Sequence, residues 1–343
     1  MVAEPPSENT VRLDPIEDRV AAYLRRADVG DAVRIERLHG DASNRAYVRV
    51  TRSRSPSLVL AVHPEVFDPA TLRQLQVGAL LDRLAIPVPA VVGHAGDLGI
   101  LALEDLGQET LQDWQNNADR DPAPLYRQAL DIILELHGAE APENHPPEPP
   151  FDLAFDRATL TRELRFFRSE FLGVYRRAPL RDSESRALDQ EFASIGDDLA
   201  AEPQVLCHRD YHSRNLMVRR GRLVVIDFQD ARMGPDTYDL VSLLRDCYVD
   251  LPPALVTEMT GRFLAATPSA KRAEFHDRFD LMSVQRHLKA LGTFGHQIAV
   301  ADRRGFAVAL PRTFSYLQRT LHQHRRFGRL LDLLLPHMPE LDA

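Results

Sequence analysis

Residues 205–230 read VLCHRDYHSRNLMVRRGRLVVIDFQD. An apolar run leads into a polar loop that holds His208, Arg209, Asp210 and Asn215. Leu216, Met217 and Val218 follow, then Arg219-Arg220-Gly221, then a second apolar run that ends on Asp227. The pattern reads as strand, turn, strand, acid. Taken singly, Asp210 could cap a turn, Asn215 could take a left-handed position and Asp227 could close a strand for ordinary reasons. Their joint spacing asks for a chemical explanation.

Transfer of a nucleotide's γ-phosphoryl group supplies one. The phosphates need neutralising while an acceptor hydroxyl is aligned with phosphorus. Mg²⁺ is met by a few hard oxygens plus phosphates and water, so Asn215 and Asp227 are the candidate metal donors. Asp210 is the candidate catalytic residue, accepting the hydroxyl's proton or orienting it. His208 and Arg209 are assigned to holding the loop backbone and a neighbouring acid.

The loop, the IDFQDA segment at 226–231 and GPDTYDLVSLLRDCY at 234–248 resemble the aminoglycoside phosphotransferase-like kinases. Within that superfamily, QRHLKALG at 285–292 and LALEDLG at 101–107 are similar to the bacterial anomeric kinases of N-acetylmuramate and N-acetylglucosamine. The superfamily likeness runs from about Leu38 onward. It implies an α+β, two-lobed protein-kinase-like fold with a small antiparallel-sheet lobe over 1–104 and a mainly helical lobe over 105–343. The superfamily likeness also implies an ATP-dependent kinase with Mg²⁺, and the narrower sugar-kinase likeness implies action on the anomeric hydroxyl of N-acetylmuramate or N-acetylglucosamine for cell-wall recycling. Two alternatives stay open: a kinase of aminoglycosides or other amino alcohols, and a nucleotide-binding pseudokinase acting as an interaction module.

Composition agrees with a small-molecule enzyme. The chain has 343 residues and a formal charge of -8, with 44% hydrophobic and 27% charged residues. That is long enough for two domains. A general nucleic-acid surface would be basic. Two cysteines exclude a disulfide scaffold and a multi-cysteine metal site. The polar start MVAEPPSENT lacks signal-peptide character, and no run approaches a membrane span, so a cytoplasmic protein with no membrane or protein partner is expected.

Residues 1–12 are expected to be disordered, after which Asp14, Pro15 and Glu17 predict a helix start, with the helix running to about 27. Five β segments follow, VRIERL, RAYVRV, SLVLAV, VVGHA and GILALE, with a helix from Asp68-Pro69 to about Leu84 between the third and fourth. Beyond Gly107 helices are predicted at 125–137, 184–200, 236–247, 253–266, 271–299 and 312–335. Leu160, Leu164, Phe167, Phe171 and Val174 recur at helical steps and predict a core-facing stripe.

The turn His39–Arg45 lies where the resemblance places nucleotide phosphates, which nominates Ser43, Asn44 and Arg45 for nucleotide binding. The third-strand lysine of kinases is missing: Ala61 stands there, and Gln74 or Gln76 occupies the region of its glutamate partner. Arg45 and Arg49 are the replacement cations at hand. Glu104 and Leu106, with Asp105, follow an apolar strand where a hinge would read adenine through its backbone. For the acceptor, Arg286 and Lys289 are nominated to meet a lactyl carboxylate, with Arg245 as a further candidate. Asp239 is expected to buttress Arg209 or the loop backbone.

Overall fold

The structure is a computed structural model that describes residues 15–38, 45–141, 148–268, 272 and 274–342. The proposed disordered start, Asp14, Ser43 and Asn44 lie outside the described residues. The chain divides into two compact units, residues 1–79 with 88–107, and residues 80–87 with 108–343.

The first unit opens with helix α1 (Ile16–Arg26), whose N-cap is Pro15. Strands β1 (Ala32–Leu38), β2 (Ala46–Arg52) and β3 (Leu58–Val62) follow. Helix α2 (Arg73–Arg83) begins later than Asp68-Pro69 suggested. The cause is local: Asp68 accepts from the Ala70 amide at 2.9 Å, so its side chain closes a turn that competes with the helix. Strands β4 (Val91–Ala95) and β5 (Ile100–Glu104) complete an antiparallel sheet of order β1-β2-β3-β5-β4.

Alternation along the strands builds two cores. Val48, Val50, Leu58, Leu60, Val62, Ile100 and Ala102 face Val20, Tyr23 and Leu24 of α1. Ala61, Leu101 and Leu103 point the other way, against Tyr47, Phe67, Leu72 and Leu75. The third-strand position that carries lysine in kinases is therefore an apolar packing site in this chain.

The second unit is mostly helical: α3 (Leu111–Gln115), α4 (Ala123–His137), α5 (Arg157–Phe166) and α6 (Asp182–Ala200) come before the central strands. β6 (Gln204–Cys207) pairs with β9 (Arg232–Pro235), and β7 (Leu216–Arg219) with β8 (Arg222–Val225). The second pair turns through Arg220 and Gly221, both at positive φ, the two-residue geometry that matches strand twist. Helices α7 (Tyr238–Leu244), α8 (Pro253–Ala266), α9 (Phe275–Ala299), α10 (Leu310–Gln323) and α11 (Gly328–Leu334) follow. No helix among the described residues is long and apolar enough to cross a membrane.

Two predicted helices are corrected. After α5 the chain widens into a π-helical segment, Phe167–Tyr175. The wider turn rotates Val174 off the stripe to 41% exposure, while Leu160, Leu164, Phe167 and Phe171 stay buried. The single helix expected over 312–335 breaks at His324, whose backbone is extended and whose Nε2 lies 2.5 Å from Asp280 Oδ2. The π-helical segment also explains a glycine of QRHLKALG: a Cβ on Gly292 would come within 2.8 Å of Phe167 Cα. Only glycine lets α9 approach that backbone so closely.

Candidate active site

The loop from His208 to Asn215 is held by buried carboxylates. Asp239 accepts from the amides of His208 and Arg209, at 2.6 and 3.1 Å, as the sequence suggested. Asp246 accepts from the Ser213 amide at 2.8 Å. His208 Nε2–H donates to the Ile226 carbonyl at 3.0 Å, linking the loop to the end of β8. Arg209 is held at φ 88° and Asp227 at φ 63°. Side chains other than glycine rarely occupy that region, and such strain concentrates at functional sites.

Asn215 and Asp227 are brought together by backbone pairing, since the Ile226 amide donates to the Asn215 carbonyl at 3.0 Å. The Asn215 side-chain amide donates through Nδ2 to the Asp210 carbonyl at 2.9 Å, which orients its oxygen away from that bond. Gln229 Nε2 donates to Asp227 Oδ1 at 2.8 Å. Among the described residues no group of three or more His, Cys, Asp or Glu forms a metal cage.

Asp210 sits among three cations. Lys289 Nζ donates to its Oδ1 at 2.8 Å, Arg286 Nη1 stands 3.8 Å from Oδ1, and Arg209 Nε stands 3.9 Å from Oδ2. Burial alone would raise the Asp210 carboxyl, but Lys289, Arg209 and Arg286 outweigh it and hold it well below the usual carboxylate range. Arg286 also donates to the Arg209 carbonyl at 2.8 Å and lies 4.7 Å above the Tyr238 ring. The 285–289 stretch is thus no solvated helix face: Gln285 is fully buried. Because i, i+1 and i+4 positions bring Gln285, Arg286 and Lys289 to neighbouring angles of one helix, α9 delivers Arg286 and Lys289 to the loop and Gln285 to Glu163 of α5.

Arg245 is engaged elsewhere. It pairs with Asp280, donates to Thr320 at 3.2 Å and stacks on Phe279. In the first unit, Arg49 is clamped by Asp105 through two bonds of 2.8 and 3.0 Å and also reaches the Gly107 carbonyl, so it braces the segment after β5. Arg45 donates to Gln74 Oε1 at 2.9 Å, so an arginine and a neutral amide meet at the start of α2. The Glu104 backbone amide donates to the Ala90 carbonyl at 2.9 Å.

Three site residues escaped the sequence reading. Glu163 on α5 accepts from Gln285 Nε2 at 2.9 Å and stands 3.9 Å from Arg209 Nη2. Asp230 lies 3.1 Å from Arg209 Nη1, and Tyr238 supports Arg286. Glu163 adjoins Leu164 in the apolar stripe and its partner is 122 residues away, so no local signal marks it.

The model of the phosphotransferase enzyme family matches residues 34–275. The chain belongs to that family. Among curated proteins the chain is similar to an N-acetylmuramate/N-acetylglucosamine kinase of Neisseria meningitidis serogroup B, 32% identical over 304 residues, covering 86% of this chain and 88% of the relative. A Caulobacter vibrioides protein of the same name is 32% identical over 336 residues, covering 87% and 90%. Among solved structures, a choline/ethanolamine kinase family protein from Mesorhizobium loti has TM-score 0.60 at 17% identity, covering 95% of this chain and 98% of that one. ADP-bound aminoglycoside phosphotransferase APH(2'')-Ib has TM-score 0.59 at 15% identity, covering 89% and 97%. These two likenesses establish the protein-kinase-like fold. As a member of this family the chain is an ATP-dependent phosphotransferase.

Proposed function

We propose that this chain phosphorylates the anomeric C1 hydroxyl of N-acetylmuramate and N-acetylglucosamine, using ATP and Mg²⁺, in the cytoplasm and in the service of cell-wall recycling. The observation that carries the reading is the 32% identity, over nearly nine-tenths of both chains, to a relative named for these two sugars. The site's chemistry supports it.

Asp210 Oδ1 is occupied by Lys289, so Oδ2 is the oxygen that receives the acceptor hydroxyl. A carboxylate held so far below its usual range is a weak base. It orients the hydroxyl and takes the proton late, which suits a loose phosphoryl-transfer transition state. An anomeric hydroxyl, more acidic than other sugar alcohols, gives up its proton to such a base more readily.

The Asn215 amide oxygen and the Asp227 carboxylate are hard donors that fit Mg²⁺, which in such sites takes few protein ligands. The ion, when bound, would offset phosphate charge. Arg45 is the cation we assign to the phosphates in place of the absent lysine, alongside Ser43 and Asn44, with the backbone of Glu104 and Leu106 reading adenine. Of the two nominated cations on α9, Lys289 is committed to Asp210, so Arg286 is assigned to the lactyl carboxylate of N-acetylmuramate.

The test is a phosphoryl-transfer assay across N-acetylhexosamines, muramic acids, aminoglycosides and small amino alcohols. Turnover confined to the N-acetylated amino sugars supports the reading. Preference for an aminoglycoside or amino alcohol would overturn it.

A further inference from the structure

The two oxygens of Asp210 are not equivalent. Oδ1 accepts from Lys289, whereas the nearest cation to Oδ2 is Arg209 Nε at 3.9 Å, beyond hydrogen-bond reach. Nε and Nη2 form the paired edge of a guanidinium group. On that same edge Arg209 Nη2 stands 3.9 Å from Glu163 Oε1, again too far for a direct bond, while Nη1 is turned to Asp230. One edge of Arg209 therefore runs past two carboxylate oxygens, one on the residue that receives the acceptor hydroxyl and one on Glu163. Both side chains reach solvent, Arg209 at 26% and Glu163 at 12% exposure.

At 3.9 Å Arg209 Nη2 makes no direct bond to Glu163 Oε1, so that oxygen keeps a lone pair for a donor from outside the pair. Glu163 is fixed for this purpose. Its Oε2 accepts from Gln285 Nε2, and because a carboxylate only accepts, that bond sets the Gln285 amide with its oxygen turned away. Gln285 Oε1 and Arg209 Nε are both buried without a hydrogen-bond partner, so the unmet polar atoms lie on the two side chains that flank Glu163. Arg209 also carries the positive φ that Asp239 holds in place.

From this juxtaposition we infer that Glu163, with Arg209, reads the substituent on the carbon next to the one phosphorylated. It requires that substituent to carry a hydrogen-bond donor. The inference rests on the anomeric reading above, under which the group is the C2 acetamido, its N–H donating to Glu163 Oε1. A sugar with only hydrogen at C2 leaves Glu163 Oε1 without that donor, and sites built to bond a polar group reject analogues lacking it.

The experiment compares N-acetylglucosamine with 2-deoxyglucose on the wild type, Glu163→Ala and Glu163→Gln, by kcat/KM or, where turnover is too slow, by inhibition constant. The KM for ATP reports integrity of the fold. The wild type is expected to favour N-acetylglucosamine by at least about 100-fold. Glu163→Ala should lose roughly 10- to 100-fold more on N-acetylglucosamine than on 2-deoxyglucose, with Glu163→Gln between. Equal losses on both sugars would make Glu163 a support for Arg209 and overturn the inference, as would a wild type indifferent to the C2 substituent. A wild type that acts on neither sugar sinks the sugar-kinase reading itself, and this inference with it.

Discussion

Lys289 Nζ lies 2.8 Å from Asp210 Oδ1, so the loop acid and a cation of α9 form one unit. Burial pulls the Lys289 ammonium below its ordinary value while Asp210 opposes that pull, and with Arg209 and Arg286 adjacent the carboxylate stays ionised. The pairing divides the roles of two residues that look interchangeable in sequence. Lys289→Met should lower kcat roughly 10- to 100-fold on N-acetylmuramate and N-acetylglucosamine alike, since it removes a charge-assisted bond to the shared acid. Arg286→Met should cost N-acetylmuramate more than N-acetylglucosamine, whose own loss measures the shared effect on Asp210 and the loop. Steady-state kinetics on both sugars tests the division. An unequal loss from Lys289→Met would return Lys289 to the lactyl carboxylate.

Asp210→Asn keeps the shape of the side chain and removes its charge. We expect kcat to fall by roughly 10²- to 10⁴-fold with ATP binding retained. A near-normal kcat would remove Asp210 from the chemistry.

Asp227→Ala is expected to abolish turnover and to weaken metal-dependent ATP binding, with Asn215→Ala weaker in the same direction. Titration of Mg²⁺ against nucleotide binding checks this. A variant whose titration matches the wild type would show that Asp227 holds no metal.

Glu202 gives a pH prediction away from the site. It is buried beside Asp236, sharing Arg278 with it, and burial raises its carboxyl from 4.5 to about 8 against the pull of Arg278. The folded state therefore keeps a proton that the unfolded chain releases between those values, and stability falls as pH rises through that window. Glu202→Gln should flatten the decline of Tm across it. Parallel Tm–pH curves for the two proteins would contradict the assignment.

What could be read in the sequence was whatever neighbouring residues decide. The β7–β8 hairpin followed from Gly221 between apolar runs, and Asp210, Asn215 and Asp227 stood out because one loop and one hairpin fix their spacing. The strands around Ala61 followed from short runs of β character between turn residues, whereas the packing of Ala61 against Leu101 and Leu103 appeared only in the structure. The rest depended on distant partners. Val174 left its stripe because the chain widened into a π-helical turn, and the last long helix broke where His324 meets Asp280. Glu163 became a site residue only when α5 met Gln285 on α9, and Lys289 showed its partner only in three dimensions.

The most direct test of the central claim is phosphorus NMR of the product made from N-acetylglucosamine labelled with carbon-13 at C1. The account predicts phosphorus–carbon coupling to the labelled anomeric carbon, from a sugar 1-phosphate. Phosphate found at C6, with no coupling to C1, would contradict the anomeric reading while leaving a phosphotransferase in place.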